Sequence, residues 1–508
     1  MTTTYTLRSA SPAKTRAEAV VVGVLASDKG PVVCDAGGDV AEAWGRKWRP
    51  LLSSLGVSGK AGESVLIPTN GTINAQMLVL VGLGQESDET SVRRAAGVAA
   101  RSVPNAASVA IALPTDTPAL VDAVTQGHLL GGYTYTSHKS TPPKDAASSG
   151  PGDVVVLSPI ARRAEAVTAF EEAQVLADAV RLTRDWVNEP PGHLTPEGFA
   201  AAVSRAHRAA TKGRGAPKVV LEIWDHTTLT ERGLGGTLAV GNGSAATPRL
   251  AKLTYSPKDA TTHLALVGKG VTFDSGGLTI KPSSSMVGMK GDMGGAACVV
   301  AATLAIARLG LPIKVTTFAP MAENMISGSS FRPGDVVTMY GGTTVEIANT
   351  DAEGRMLLGD ALVLATEETP DVIVDVATLT GHLQLALGDK VGAVLGTQEI
   401  VDAVLAAGAR AGEQHWQMPI PEEMSERIKA SPVADLLQHD WVRWGGGLMA
   451  AAFLREFTAG LPWAHLDIAG KEINTGGPYG HVPSGGTGFG VTTIVEYAKS
   501  LAAPSPPA

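Results

Sequence analysis

Along this chain, short apolar runs bounded by glycine and polar clusters alternate with longer stretches of helical period. From Ala19 the run Val-Val-Val-Gly-Val-Leu reads as a buried strand. Ser64-Val-Leu-Ile-Pro, Met77 to Gly84 and Ala107 to Leu113 supply further strands. Ser91 to Val103, rich in alanine, reads as a helix between the last two, which gives a βαβ rhythm. Lys139 to Asp153 carries Pro142, Pro143 and Pro151 among serines and glycines and reads as a hinge. Arg162 to Trp186 is a continuous helical pattern, and Pro190 and Pro191 forbid its continuation. Beyond it a helix opens at Thr195-Pro196-Glu197. Strands follow at Lys218 to Ile223, His263 to Gly268, Ile313 to Ala319, Asp371 to Ala377 and Trp463 to Ile468, with helices at Gly295 to Leu309 and Met449 to Phe457.

This alternation predicts an α/β protein: a smaller N-terminal α/β domain over residues 1–155, a linker helix over 156–190, and a larger C-terminal domain over 191–497. The larger domain is expected to hold a mixed, mostly parallel sheet flanked by helices. Residues 498–508, with three prolines at the end, are expected to be a disordered tail. At 508 residues the chain exceeds what one hydrophobic core usually serves, in keeping with two domains.

Composition narrows the function. A formal net charge of −8 gives no general attraction to nucleic acid or anionic membrane, so peptides or small molecules fit better as partners. Two cysteines, Cys34 and Cys298, are too few for a disulfide framework or a cysteine zinc site, and point to a reducing cytoplasm. The N-terminus lacks a basic and then apolar leader, and no uninterrupted apolar run reaches membrane-spanning length, so a soluble, unexported protein is expected. Gly82-Leu-Gly84 follows a strand but lacks the third glycine and acidic partner of a dinucleotide turn, and reads as a structural turn.

The candidate chemistry centres on Asn349-Thr350-Asp351-Ala352-Glu353-Gly354-Arg355. It lies between a short strand pattern, Thr344 to Ala348, and a helix pattern, Met356 to Thr366, so two carboxylates and a guanidinium meet at a strand-to-helix corner. In extended chain Asp351 and Glu353 would project to one side, and Gly354 would allow a sharp turn. The helix start and Arg355 would place an anion site beside a cation site. Upstream, Val267-Gly-Lys269-Gly-Val-Thr-Phe-Asp274-Ser-Gly-Gly, Lys281 and Met289-Lys-Gly-Asp292-Met-Gly-Gly add charged residues in glycine-rich surroundings, again at predicted strand ends.

With these residues together, the chain resembles the cytosolic leucine aminopeptidases, two-metal exopeptidases whose signature is the same Asn-Thr-Asp-Ala-Glu-Gly-Arg. The similarity extends over most of residues 180–495, including Arg332-Pro-Gly-Asp, Ala377-Thr-Leu-Thr-Gly and His465-Leu-Asp-Ile-Ala-Gly. The resemblance implies a macro-like N-terminal domain and a catalytic C-terminal one. It places metal ligands at Lys269, Asp274, Asp292, Asp351 and Glu353, catalytic roles at Lys281 and Arg355, and side-chain binding at Met289, Thr378 and Gly381. Two divalent ions per subunit, Mn²⁺ or Zn²⁺, are implied, with bicarbonate at Arg355. So are short peptide substrates with Leu- or Met-like N-termini, a cytoplasmic location and a homohexamer. Hard oxygen ligands suit such ions, and Lys269 coordinates only as a neutral amine.

Three features depart from the family pattern. His382 stands where alanine is usual, Gly359 replaces a common alanine, and Lys471 and Glu472 bring polar groups to a region that is often apolar. A DNA-binding accessory role, known for some relatives, is the competing reading, and the acidic net charge argues against it.

Overall fold

The structure is a computed structural model and describes residues 3–140 and 151–502. The middle of the expected hinge and residues 503–508 of the expected tail lie outside the described residues. Residues 498–502, assigned to that tail, are instead the last turn of the helix Val491–Ala502, because Val495, Tyr497 and Ala498 are buried on its inner side.

The chain divides into two units, residues 1–181 with 475–484, and residues 182–474 with 485–508. The helix Ala164–Asn188 contributes residues to both, and the ten residues 475–484 rejoin the first unit. The first unit is built on a seven-stranded sheet in the order Thr4–Arg8, Asp153–Leu157, Ser108–Ala112, Ala19–Leu25, Met77–Gly84, Ser64–Pro68, with Val32–Val33 paired to Ala19–Leu25. Its ladders are parallel except at Ser64–Pro68 and Val32–Val33. Ala19–Leu25 is apolar throughout because both its faces are covered, Val21 packing in one hydrophobic cluster and Val20 and Val22 in another. The helices Glu89–Ser102 and Pro118–Gly131 begin where Asp88 and Thr117 accept the backbone N–H groups of Ser91 and Leu120, and Pro118 sits where no N–H is needed.

The second unit carries a nine-stranded mixed sheet. Its order is Gln414–Gln417, Val391–Gly396, Trp463–Asp467, Val372–Ala377, His263–Gly268, Lys314–Asn324, Arg249–Tyr255, Val219–Trp224, and Gly270–Asp274 also pairs with Lys314–Asn324. Lys314–Asn324 runs five residues past the predicted end at Ala319. Pro320 does not break it, because it falls between the residues paired with His263–Gly268 and those paired with Gly270–Asp274. Ala265 and Val267 face a cluster with Leu357, Leu358 and Ala361 of the helix Gly354–Glu367. The helix Gly294–Arg308 is buried along nearly its whole length, and Gly295, Ala296 and Val299 crowd the backbone of Gly268. The longer stretch Ser283–Arg308 is apolar enough to cross a membrane by composition alone, yet 89% of its apolar window is buried within the fold, which marks a core helix.

Consequently the carboxyl ends of the parallel strands converge. Lys269 follows Gly268, Asp274 and Asn324 close their strands, Thr378 follows Ala377, and Asp467 ends Trp463–Asp467. A crevice at such strand ends is where open α/β sheets place their chemistry.

Candidate active site

Asp274, Asp351 and Glu353 present carboxylate oxygens that all lie within 4.8 Å of one another. Extended-chain alternation does not bring the last two together. Ala352 N donates to Asn349 O at 3.1 Å, closing a turn, and Glu353 already has helical angles (φ −69°, ψ −35°) at the cap of Gly354–Glu367. Gly354 also differs from expectation, since it has no positive φ. A Cβ there would stand 2.8 Å from both Cδ and Nζ of Lys269, so glycine is needed for close approach rather than for a sharp turn. True left-handed glycines occur in the facing loop, at Gly276 (φ +85°) and Gly277 (φ +63°).

Lys269 is buried. Its Nζ lies 2.8 Å from Asp292 Oδ1 and 2.9 Å from Glu353 Oε1, and donates to Thr378 O at 3.0 Å. Lys281 Nζ lies 2.8 Å from Asp274 Oδ2 and 2.5 Å from Asp351 Oδ1. Burial alone would lower both ammonium pKa values, but the surrounding carboxylates outweigh it and hold both lysines above their ordinary range. The carboxylates divide. Burial and mutual repulsion raise Asp274, Asp292 and Asp351, whereas at Glu353 the raising effect of burial is overcome by Lys269 and Lys281, and its pKa falls.

Four carboxylates therefore outnumber two ammonium groups in a largely buried space, and Asp292 Oδ2 is buried without a hydrogen-bond partner among the described residues. Uncompensated negative charge among hard oxygen donors fits divalent cations. Asp274, Asp292, Asp351 and Glu353 could hold them, and Lys269 could join as a neutral amine where a neighbouring cation takes the place of its proton.

Arg355 is buried, and burial lowers its pKa to about 10, so it remains a cation at neutral pH. Its Nη1 donates to Gln438 O at 2.6 Å, while its Nε is buried with no partner. Arg355 lines a cavity of about 450 Å³ together with Lys281, Asp351, Glu353, Gly381 and His382. Of the expected side-chain binding residues, Thr378 donates from Oγ1 to Asp292 Oδ1 at 2.8 Å, Gly381 opens the helix Gly381–Leu387 at the cavity, and Met289 is partly exposed in the turn before Asp292. Met289 and Thr378 are not among the residues lining that cavity. His382 is exposed, and its ring lies so close over Gly446 that a Cβ there would be 2.6 Å away.

Several supporting groups could not be read from the sequence. Asn324 Nδ2 donates to Asp274 Oδ1 at 2.8 Å and to Thr350 O at 3.0 Å, joining two segments of the cluster. Gln438 is fully buried; its Nε2 donates to Ala352 O at 2.9 Å and its Oε1 accepts from Asn349 N at 3.2 Å, bracketing the acidic turn. Asp467 accepts from Thr380 Oγ1 at 2.7 Å and from Leu379 N at 3.2 Å, fixing the turn that carries Thr378. Asn324 and Gln438 come from distant stretches with no local motif, and Asp467 lies in the His465-Leu-Asp-Ile-Ala-Gly stretch with no role of its own legible there.

A buried carboxylate cluster with paired lysines at the carboxyl edge of a mixed α/β sheet suits metal-dependent hydrolysis. A model of the cytosol aminopeptidase family, catalytic domain, matches residues 181–495, and one of the same family's N-terminal domain matches residues 21–142. The chain belongs to the cytosol aminopeptidase family and is a peptidase hydrolase. It is 43% identical to a probable cytosol aminopeptidase of Streptomyces avermitilis over 99% of both chains, and 43% identical to one of Micrococcus luteus over 96% of both. Among solved structures it is similar to the bottromycin maturation enzyme BotP in complex with Mn. That match has 37% identity and a TM-score of 0.82, covering 96% of this chain and 100% of that one. A mutant of tomato leucine aminopeptidase matches with 28% identity and a TM-score of 0.85, covering 98% of this chain and 96% of that one.

Proposed function

We propose that this protein removes the N-terminal residue from short peptides in the cytoplasm, using two divalent cations, Mn²⁺ or Zn²⁺, held by Lys269, Asp274, Asp292, Asp351 and Glu353. The observation that carries this reading is the convergence of Asp274, Asp351 and Glu353 within 4.8 Å, in a cluster whose carboxylates exceed its ammonium groups. When bound, such ions supply Lewis acidity and a water made nucleophilic near neutral pH.

The chain's own groups do the rest. Lys281, kept protonated by Asp274 and Asp351, is suited to stabilise the oxyanion that develops on the scissile carbonyl. Arg355, cationic with an unpartnered Nε at the start of a fourteen-residue helix, is suited to hold bicarbonate, which can pass a proton to the leaving amine. Met289, Thr378 and Gly381 would receive a bulky apolar first side chain, the flexible thioether adapting to Leu or Met.

Assembly into a homohexamer is supported by apolar side chains left in solvent on the second unit: Leu385 is 89% exposed, Val287 80% and Trp444 73%. Light scattering should then return six times the 52.0 kDa chain mass. The test of the activity is hydrolysis of leucinamide and Leu-Gly by the metal-loaded protein beside N-acetyl-Leu-Gly. Equal cleavage of the blocked peptide would overturn the requirement for a free α-amine.

A further inference from the structure

Glu472 is a buried carboxyl group that the reaction does not use. It is 8% exposed, and Oε2 has no hydrogen-bond partner among the described residues. Lys471 Nζ donates to Ala469 O at 2.8 Å, and Glu472 forms no ion pair among the described residues. The backbone is fixed here, with Thr487 N donating to Glu472 O at 3.0 Å and Thr487 Oγ1 to Lys471 O at 2.5 Å.

Glycines define where the side chain lies. A Cβ on Gly294 would be 3.0 Å from Glu472 Cβ and 3.6 Å from Thr378 Cγ2, and one on Gly291 would be 3.3 Å from Glu472 Cγ. Glu472 and Thr378 thus both approach Gly294, the first residue of the helix Gly294–Arg308, two positions after Asp292. Leaving a buried oxygen without a partner is costly, and an incoming hydrogen-bond donor or cation offsets that cost. The Thr378 methyl and the Glu472 stem thus border the same small space beside Gly294.

We propose that Glu472 is a specificity-determining residue that reads the tip of the substrate's first side chain, so that lysine and arginine are accepted alongside leucine and methionine. This rests on the aminopeptidase reading and extends its substrate class. Lysine and norleucine share a four-carbon stem and differ in the ammonium tip, so their ratio isolates the tip from the stem.

The test compares kcat/KM for lysyl- and norleucyl-methylcoumarylamide with the metal-loaded wild type, Glu472→Gln and Glu472→Ala. The expected result is a lysine-to-norleucine ratio near or above one in the wild type that falls at least tenfold in Glu472→Ala, with Glu472→Gln between. Competition of free lysine and free norleucine against leucyl substrate gives the same comparison on the wild type alone, and lysine is expected to compete at least as well. Wild type that cleaves norleucyl but not lysyl substrate, or a ratio unchanged within twofold in a cooperatively melting Glu472→Ala, overturns the proposal and leaves the aminopeptidase reading intact. Wild type inactive on every unblocked substrate overturns that reading instead.

Discussion

Lys269 and Gly354 fit one another: the lysine's Cδ and Nζ occupy the place where a Cβ on Gly354 would begin, 2.8 Å from each. The glycine is therefore part of the lysine's position. Gly354→Ala is expected to keep the helix Gly354–Glu367, since alanine is a better helix former, while displacing Lys269 Nζ from Asp292 and Glu353. Activity on leucinamide should drop at least a hundredfold with little change in melting temperature. Near-normal turnover would mean that the lysine relaxes without consequence.

Glu353→Ala and Lys281→Ala should fail differently. The first removes an oxygen from the three-carboxylate convergence and should lose both activity and bound metal, read by elemental analysis after gel filtration. The second should retain metal and lose rate by about 10²–10³-fold, as removal of an oxyanion-stabilising donor does. Loss of metal in Lys281→Ala would mean that the two lysines have exchanged roles.

Treatment with a chelator should abolish hydrolysis, and titration with Mn²⁺ or Zn²⁺ should restore it. Because bound ions stabilise a fold by mass action, the melting temperature should rise with metal concentration. In Asp292→Asn that rise should be diminished.

Gln438 holds the acidic turn by its two amide ends, and its carbonyl accepts from Arg355. Gln438→Ala should leave Ala352 O and Asn349 N without these partners at a cost of about 1–3 kcal/mol each. A lower kcat with KM little changed is expected, because the catalytic groups loosen while the side-chain pocket stays. A fall in melting temperature with unaltered kinetics would make Gln438 purely structural.

His128 gives the first unit a pH dependence. It is buried, its Nδ1 is 2.8 Å from the Tyr5 hydroxyl, and burial lowers its pKa to about 4. Because the folded value lies below the unfolded one, near 6.5, its contribution is complete above 6.5 and is lost as pH falls toward 4. The loss reaches about 3 kcal/mol at most. His128→Asn, which keeps an acceptor for Tyr5, should flatten the decline in melting temperature over that window.

Much of the candidate site was legible because charge in glycine-rich, apolar surroundings is costly unless it is used, and the seven proposed ligand and catalytic positions all carry such charge. The cause of each glycine was less legible: Gly354 reads as a turn, whereas the reason for it is a side chain arriving from another strand. The same blindness hid the strand Val391–Gly396. Gly392 and Gly396 look like breakers, but the His415 and Phe489 rings lie 2.7 and 3.0 Å from where a Gly392 Cβ would be. Asn324, Gln438 and Asp467 acquire their roles only when the sheet brings separate segments to one edge.

The segment 475–484 has a consequence for modularity. Arg101 donates to the carbonyl of Gly480 at 2.6 Å, and the backbone of His481 lies against Gly97, so the first unit is completed by residues translated after the second unit's sheet. A gene fragment ending at residue 181 would leave Gly97 and Arg101 facing water. During synthesis the first unit stays incomplete until residues 475–484 have been made. Exchanging N-terminal units between relatives therefore means exchanging two pieces of sequence, and a swap of the first alone would join mismatched halves of one packing surface.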